Sequence, residues 1–165
     1  MGAKDYQELI HKNPRPYDVV ILWNVPSDFA NCEHCTQVEK EFYSVAYSFV
    51  NSRGADVSID EKKIFFVIVP FLGRDKNVQS IYKDNNFLTV PYLTVSPLDL
   101  KRDPNDKDIF KTEEKWLIGA NEVFDANKQI EFVNNILRTD VKIKFTFMSI
   151  LIKNFMVFCI IGVIF

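Results

Sequence analysis

The sequence predicts an α/β domain followed by an apolar C-terminal segment suited to a membrane helix, and three observations carry that reading. A strand-like run, Asp18-Val19-Val20-Ile21-Leu22-Trp23-Asn24, is followed after a short connection by Asn31-Cys32-Glu33-His34-Cys35. Directly after the cysteine pair the apolar period turns helical, with Val38, Phe42, Val45 and Phe49 spaced by four, three and four to lay one stripe. Finally, Phe145 to Phe165 is apolar except for Thr146, Ser149, Lys153 and Asn154.

Composition sets the limits of the reading. A chain of 165 residues suits one domain with an appendage. A formal net charge of -2 and a sequence pI of about 5.7 argue against a nucleic-acid surface. The 47% hydrophobic content, with 15 Phe, is ample for a core, although part of it sits in the C-terminal block. Of three cysteines, two form the Cys-x-x-Cys pair and Cys159 lies in the apolar tail, so this is no disulfide-stapled scaffold.

The remaining elements follow in order. Residues 1–17 show no secretory signature, which reads either as a cytosolic protein or as a chain beginning after its signal. Asp5 to His11 suits a short helical turn in which Leu9 and Ile10 pack, and Asn13-Pro14-Arg15-Pro16 is a rigid, non-helical lead-in. Lys63 to Pro70 is a continuous apolar run of strand length, expected as a central strand buried on both faces. Asn77 to Asn86 reads as a helix presenting Val78, Ile81 and Tyr82, and Thr89 to Val95 as a strand with a proline near its start. Residues 98–115, dense in charge and turn formers, read as a solvated loop or hairpin insertion. Asp125 can cap a last helix with Ile130, Val133, Ile136 and Leu137 on its apolar face. The order β-α(Cys-x-x-Cys)-β-α-(Pro)β-α is a thioredoxin-like α/β plan, with the domain over residues 5–140 and the membrane segment over 145–165.

The cysteine pair carries the chemistry. A helix N-terminus offers free N–H groups and the positive end of the helix dipole, which stabilise a thiolate placed there. Such placement brings a thiol pKa from about 8.5 into roughly the 3.5–7.5 range. Cys32 is thereby the expected attacking thiol and Cys35, one turn further in, the resolving thiol. His34 between them adds positive charge when protonated and favours the reduced form, whereas Glu33 works the other way. The first strand offers no carboxylate after Asp18 to take the Cys35 proton, which leaves Glu39 or water. A structural zinc site wants four ligands in two separated groups, and beyond Cys32, Cys35 and His34 the chain offers only His11 and Cys159, so no metal is expected. No cofactor is expected either.

Val90-Pro91 is the second half of the site. Cis peptide bonds are essentially confined to X-Pro, and a cis Pro91 would turn the Val90 backbone toward the cysteines, where an extended peptide could add as a strand. The plainer alternative is a proline at a strand edge. Phe29, Phe87 and Tyr92 offer an apolar rim for such a peptide, or serve as ordinary packing aromatics.

The C-terminal block has two registers. Counted from Phe145, a span of roughly 20 residues places Lys153 at its centre, at a cost of about 2.5–3.5 kcal/mol. Counted from Phe155 it runs to the last residue, which reads as a membrane helix cut short. Cys159 then faces lipid or a neighbouring helix.

Several segments together resemble a known family. They are Arg15-Pro16-Tyr17, the Cys-x-x-Cys followed by Lys40-Glu41-Phe42 and Val45-Ala46, Lys63-Ile64-Phe65-Phe66, Val90-Pro91-Tyr92, Phe124-Asp125-Ala126, and Arg138-Thr139-Asp140-Val141-Lys142-Ile143 leading into the apolar span. The chain looks like the thioredoxin-domain subunits of the eukaryotic oligosaccharyltransferase complex, whose animal members are also described as magnesium-transporter-like. The resemblance implies a thioredoxin-like domain in the lumen of the endoplasmic reticulum, with a signal and a strand preceding Asp5 and a run of membrane helices following. It implies an accessory thiol–disulfide oxidoreductase, with Cys32 and Cys35 as its redox pair. Transient mixed disulfides with nascent polypeptides would assist N-glycosylation near cysteines, while other subunits of the complex transfer the glycan. Two alternatives stay open: a membrane-anchored enzyme like protein disulfide isomerase, and a non-enzymatic, magnesium-transport-related membrane protein.

Overall fold

The computed structural model describes residues 2–11, 15–26, 33–52, 63–71, 75–98, 109–119 and 125–144. Its order is a helical turn α1 (Ala3–Tyr6) widening into a π-turn (Gln7–His11), then β1 (Tyr17–Asn24), α2 (Glu33–Ser52), β2 (Lys63–Pro70) and α3 (Lys76–Asp84). Next come β3 (Tyr92–Ser96), a 3-10 turn (Thr112–Glu114), β4 (Lys115–Leu117) and α4 (Ala126–Leu137). The strands form one sheet in the order β2-β1-β3-β4. β1 runs parallel to β2, pairing Tyr17 with Lys63 and Asn24 with Pro70, and antiparallel to β3, pairing Trp23 with Tyr92. β3 and β4 are antiparallel.

Side-chain alternation along β1 builds a core on each face of the sheet. Val20 and Leu22 point to the face covered by α2 and α4, where they meet Val38, Phe42, Val45 and Phe49 with Ile130 and Val133. Val19, Ile21 and Trp23 point to the other face, against Tyr6, Ile10, Val78, Ile81, Tyr82 and Phe87. The result is a three-layer α/β/α arrangement, as the thioredoxin-like reading requires. The helical stripe predicted after the cysteines is buried along its length, and Asp125 caps α4 by accepting from the backbone N–H groups of Asn127 and Lys128. In the N-terminal turn Ile10 is buried, but Leu9 is half exposed.

Two expectations change. β2 is an edge strand among the described residues, and β1 takes the central place, buried at every position but its first. A continuous apolar run does not separate the two cases, because an edge strand can cover its apolar side chains locally. Phe66 does so by packing on Phe42 and Phe49 of α2, whereas Phe65 meets Tyr17 edge-on at 5.0 Å and stays half exposed. The second change is β4, which lies at the end of and just beyond a segment read as solvated. Three residues are too few for a period, and its pairing with Tyr92, Leu93 and Thr94 supplies what periodicity could not show.

The expected membrane segment, 145–165, lies outside the described residues. Among the described residues no helix is long and apolar enough to cross a membrane.

Candidate functional site

The C-terminal end of β1 is where the candidate site residues converge. β1 ends at Asn24, and α2 begins at Glu33 over the same end of the sheet. Cys35 stands in the first turn of α2, buried to 1% exposure, and its sulfur is in a disulfide. Cys32 and Phe29 lie outside the described residues, as does Cys159. His34 is exposed on the first turn of α2.

The Val90-Pro91 peptide bond is cis. Tyr92, the next residue, pairs with Trp23, so Val90 and Pro91 sit just past the end of the β1–β3 ladder, on the side where Asn24 and Cys35 lie. Pro91 is buried and its carbonyl accepts from the Ile118 N–H at 3.1 Å, which ties the turn to the end of β4. Val90 and Tyr92 are each half buried.

The aromatic residues here divide between the two alternatives the sequence left open. Phe87 is core: its ring lies 4.7 Å from both Trp23 and Tyr92, and it packs with Tyr82 and Phe110. The exposed apolar residue is its neighbour Leu88, at 93%. Asn86 takes a positive φ of 59°, and the chain turns there so that Phe87 points inward and Leu88 outward. Nothing in the sequence separates these two, since either could fill the core.

Asn24 is the residue that sequence reasoning missed. Its side chain points to the α2 face, the side of Val20 and Leu22, as strand alternation requires. The amide Nδ2 donates to the Cys35 carbonyl at 2.9 Å, and the residue is 1% exposed. A search for a carboxylate passes over it, because an amide carries no proton at neutral pH. Its one legible signal was position, as the last residue of the strand that leads to the cysteines.

Tyr82 braces the same strand ends from the opposite face. Its hydroxyl donates to the Val69 carbonyl at 2.7 Å, and burial pushes its pKa far above the usual tyrosine range, partly offset by a hydrogen bond with the Asn24 backbone. The chemistry available here is that of a cysteine disulfide at a helix start, beside a cis-proline turn with an exposed leucine. A cleft of about 840 Å³, lined by Asp18, Lys111, Phe132 and Arg138 among others, opens elsewhere and touches none of these groups.

No curated protein matches the chain significantly. A protein-family model described as "OST3 / OST6 family, transporter family" matches residues 1–165, the whole of the sequence. The chain therefore belongs to the OST3/OST6 family of subunits of the oligosaccharyltransferase complex, which acts at the endoplasmic reticulum membrane.

Proposed function

We propose that this subunit is the accessory thiol–disulfide oxidoreductase of its complex, with Cys32 and Cys35 joined as the redox-active disulfide. The observation that carries the reading is the disulfide at Cys35 in the first turn of α2, on the same end of the sheet as the cis Val90-Pro91 bond. A client cysteine thiolate attacks the Cys32 sulfur, the bond between Cys32 and Cys35 breaks, and Cys35 leaves as a thiolate that takes up a proton. The client is then held by one S–S bond. Attack by Cys35 reverses the step and releases the client thiol, whereas attack by a second client thiol releases an oxidised client and leaves both subunit cysteines reduced.

The partner is a nascent polypeptide bearing cysteine, laid as an added strand against the Val90 backbone just past the end of β3, with Tyr92, Leu88 and Phe29 as apolar contacts. His34 beside the pair favours the Cys32 thiolate whenever it is protonated. The domain faces the lumen of the endoplasmic reticulum, and residues 145–165 enter the membrane. Holding a client in this way keeps acceptor sites near cysteines extended while other subunits transfer the glycan.

Trapping tests the reading. With Cys35→Ser in the full-length subunit, the intramolecular escape is gone, and Cys32 should accumulate disulfide adducts with cysteine-bearing glycoproteins while the transferase co-purifies. Adducts without the transferase would point to a free-standing isomerase-like enzyme. No adducts, together with a Cys32 inert to alkylation, would overturn the redox reading.

A further inference from the structure

Asn24 is only half satisfied. The Cys35 carbonyl can only accept, so the Asn24 atom that faces it is the donor Nδ2, at 2.9 Å. That fixes the amide's orientation and leaves Oδ1 buried with no hydrogen-bond partner among the described residues. A buried acceptor without a donor is rare in a native protein and calls for an explanation. Here the acceptor belongs to a side chain already fastened to Cys35, and Cys35 is in its oxidised form, with no proton on sulfur. Opening the disulfide would put a new donor, the Cys35 S–H, on the residue that Asn24 already holds.

We propose that Asn24 is a positioning residue that holds the released Cys35 as a neutral thiol and so prolongs the mixed disulfide with a client. The inference rests on the redox reading above and adds the duration of the hold. When the client thiolate attacks Cys32, Cys35 departs as a thiolate and takes one proton from solvent. The new S–H donates to Asn24 Oδ1, and the buried acceptor is satisfied. To attack the mixed disulfide and expel the client, Cys35 must give that proton up again. Burial and a hydrogen bond made only by the protonated form both favour the thiol over the thiolate. An amide is no base, so Asn24 cannot carry the proton away. A carboxylate in its place would remove the proton and speed release. This chain has an amide there, which suits a subunit whose task is to keep hold of its client.

The test uses the full-length subunit in detergent, charged at Cys32 with a cysteine peptide in a mixed disulfide. The rate at which Cys35 expels the peptide should be slow in the natural protein. In Asn24→Asp it should be about tenfold faster or more, and it should rise with pH as the carboxyl ionises. Asn24→Leu, which removes the acceptor, should shift the glutathione equilibrium toward the disulfide by about tenfold, or about 30 mV. A readout independent of exchange is the infrared S–H band of Cys35 in reduced Cys32→Ser, lowered by the hydrogen bond and returned to the free-thiol position by adding Asn24→Leu. Equal escape rates in the natural protein and Asn24→Asp, with an S–H band that Asn24→Leu does not move, would overturn the assignment to Asn24 while leaving the redox reading intact. A subunit that never forms the mixed disulfide would instead overturn the redox reading, and with it any role in holding a client.

Discussion

Arg15 Nη2 donates to the Ser96 carbonyl at 2.7 Å, joining the lead-in of β1 to the last residue of β3. The same guanidinium donates to the Ser96 hydroxyl, to the Ile10 carbonyl at 2.8 Å and, through Nε, to the Tyr17 carbonyl at 3.1 Å. One planar fork thus fastens the N-terminal turn, β1 and β3 at the end of the sheet away from the cysteines. Hydrogen bonds from a charged donor contribute about 1.5–3 kcal/mol each, and removing the donor takes a partner from the Ile10 and Ser96 carbonyls in buried bonds. Arg15→Ala should therefore lower unfolding free energy by about 3–4 kcal/mol in urea titrations. Arg15→Lys should recover less than half, because an ammonium cannot present the planar fork.

Tyr82 gives the fold an alkaline limit. Its hydroxyl is held by the Val69 carbonyl, and burial raises its pKa, so the folded protein keeps this proton above the pH at which an exposed tyrosine loses it. Above about pH 10 the unfolded chain releases the proton and the folded chain does not. The unfolded state then binds fewer protons, and stability falls as pH rises, by up to about 1.4 kcal/mol per pH unit from this group. Below that range the contribution is constant. Tyr82→Phe should cost about 1 kcal/mol at neutral pH through the lost hydrogen bond, and should flatten the decline between pH 10 and 11. Thermal melts of both proteins across that range check it.

These two residues also mark what the sequence could and could not show. Tyr82 was legible, since it lies with Val78 and Ile81 on the apolar face of a helical period. The buried stripe of α2 and the Asp125 cap were legible for the same reason, because each is a local pattern, whereas the cis proline was suggested only by its place in the element order beside the cysteine pair. Arg15 was legible as a family motif, but its partner Ser96 lies far along the chain and could not be read from spacing. The edge position of β2, the three-residue β4 and the inward turn of Phe87 depend on tertiary pairing. Asn24 was hidden by its chemistry, because its importance lies in which of its two side-chain atoms finds a partner.

Leu88 is the apolar contact most open to a client. At 93% exposure it contributes almost nothing to the core, and it lies two residues before the cis bond. Burying a leucine against a partner is worth about 1.5–3 kcal/mol when complete, and less in an open groove. Leu88→Asp should reduce the rate of mixed-disulfide formation with an apolar cysteine peptide by about three- to tenfold relative to that with glutathione. Stability should change by less than about 0.5 kcal/mol, as expected at an exposed position. Competition between the two thiols, read by mass spectrometry, gives the ratio directly.

The chain leaving α4 is strapped to the far end of α2, and Asn134 is the buckle. Its Oδ1 accepts from the Thr139 hydroxyl at 2.7 Å and from the Val141 N–H at 3.1 Å, while its Nδ2 donates to the Val141 carbonyl at 2.8 Å. Arg138 sits in the left-handed region at φ 56°, turning the backbone back so that these bonds can form. Val141 and Ile143 then pack on the core, the Lys144 N–H donates to the Ser48 hydroxyl at 2.9 Å, and the Lys144 ammonium donates to the Asn51 carbonyl at 2.6 Å. The Arg138-Thr139-Asp140-Val141 segment is thus a tether, fastened to the domain just before the apolar stretch at 145–165. α2 has 20 residues and is about 30 Å long, so the tether and Cys35 stand near opposite ends of it. If residues 145–165 enter the membrane as proposed, Cys35 stands at the end of α2 away from it. Asn134→Ala should cost about 1–2 kcal/mol and Ser48→Ala about 0.5–1 kcal/mol, each removing a partner from part-buried backbone groups. Arg138→Gly should instead stabilise by about 0.5–1 kcal/mol, since glycine adopts this conformation without the Cβ penalty. Hydrogen exchange should quicken at 139–144 in Asn134→Ala and stay unchanged in Arg138→Gly. Protection at 139–144 that survives Asn134→Ala would show that packing by Val141 and Ile143 holds the tether without the buckle.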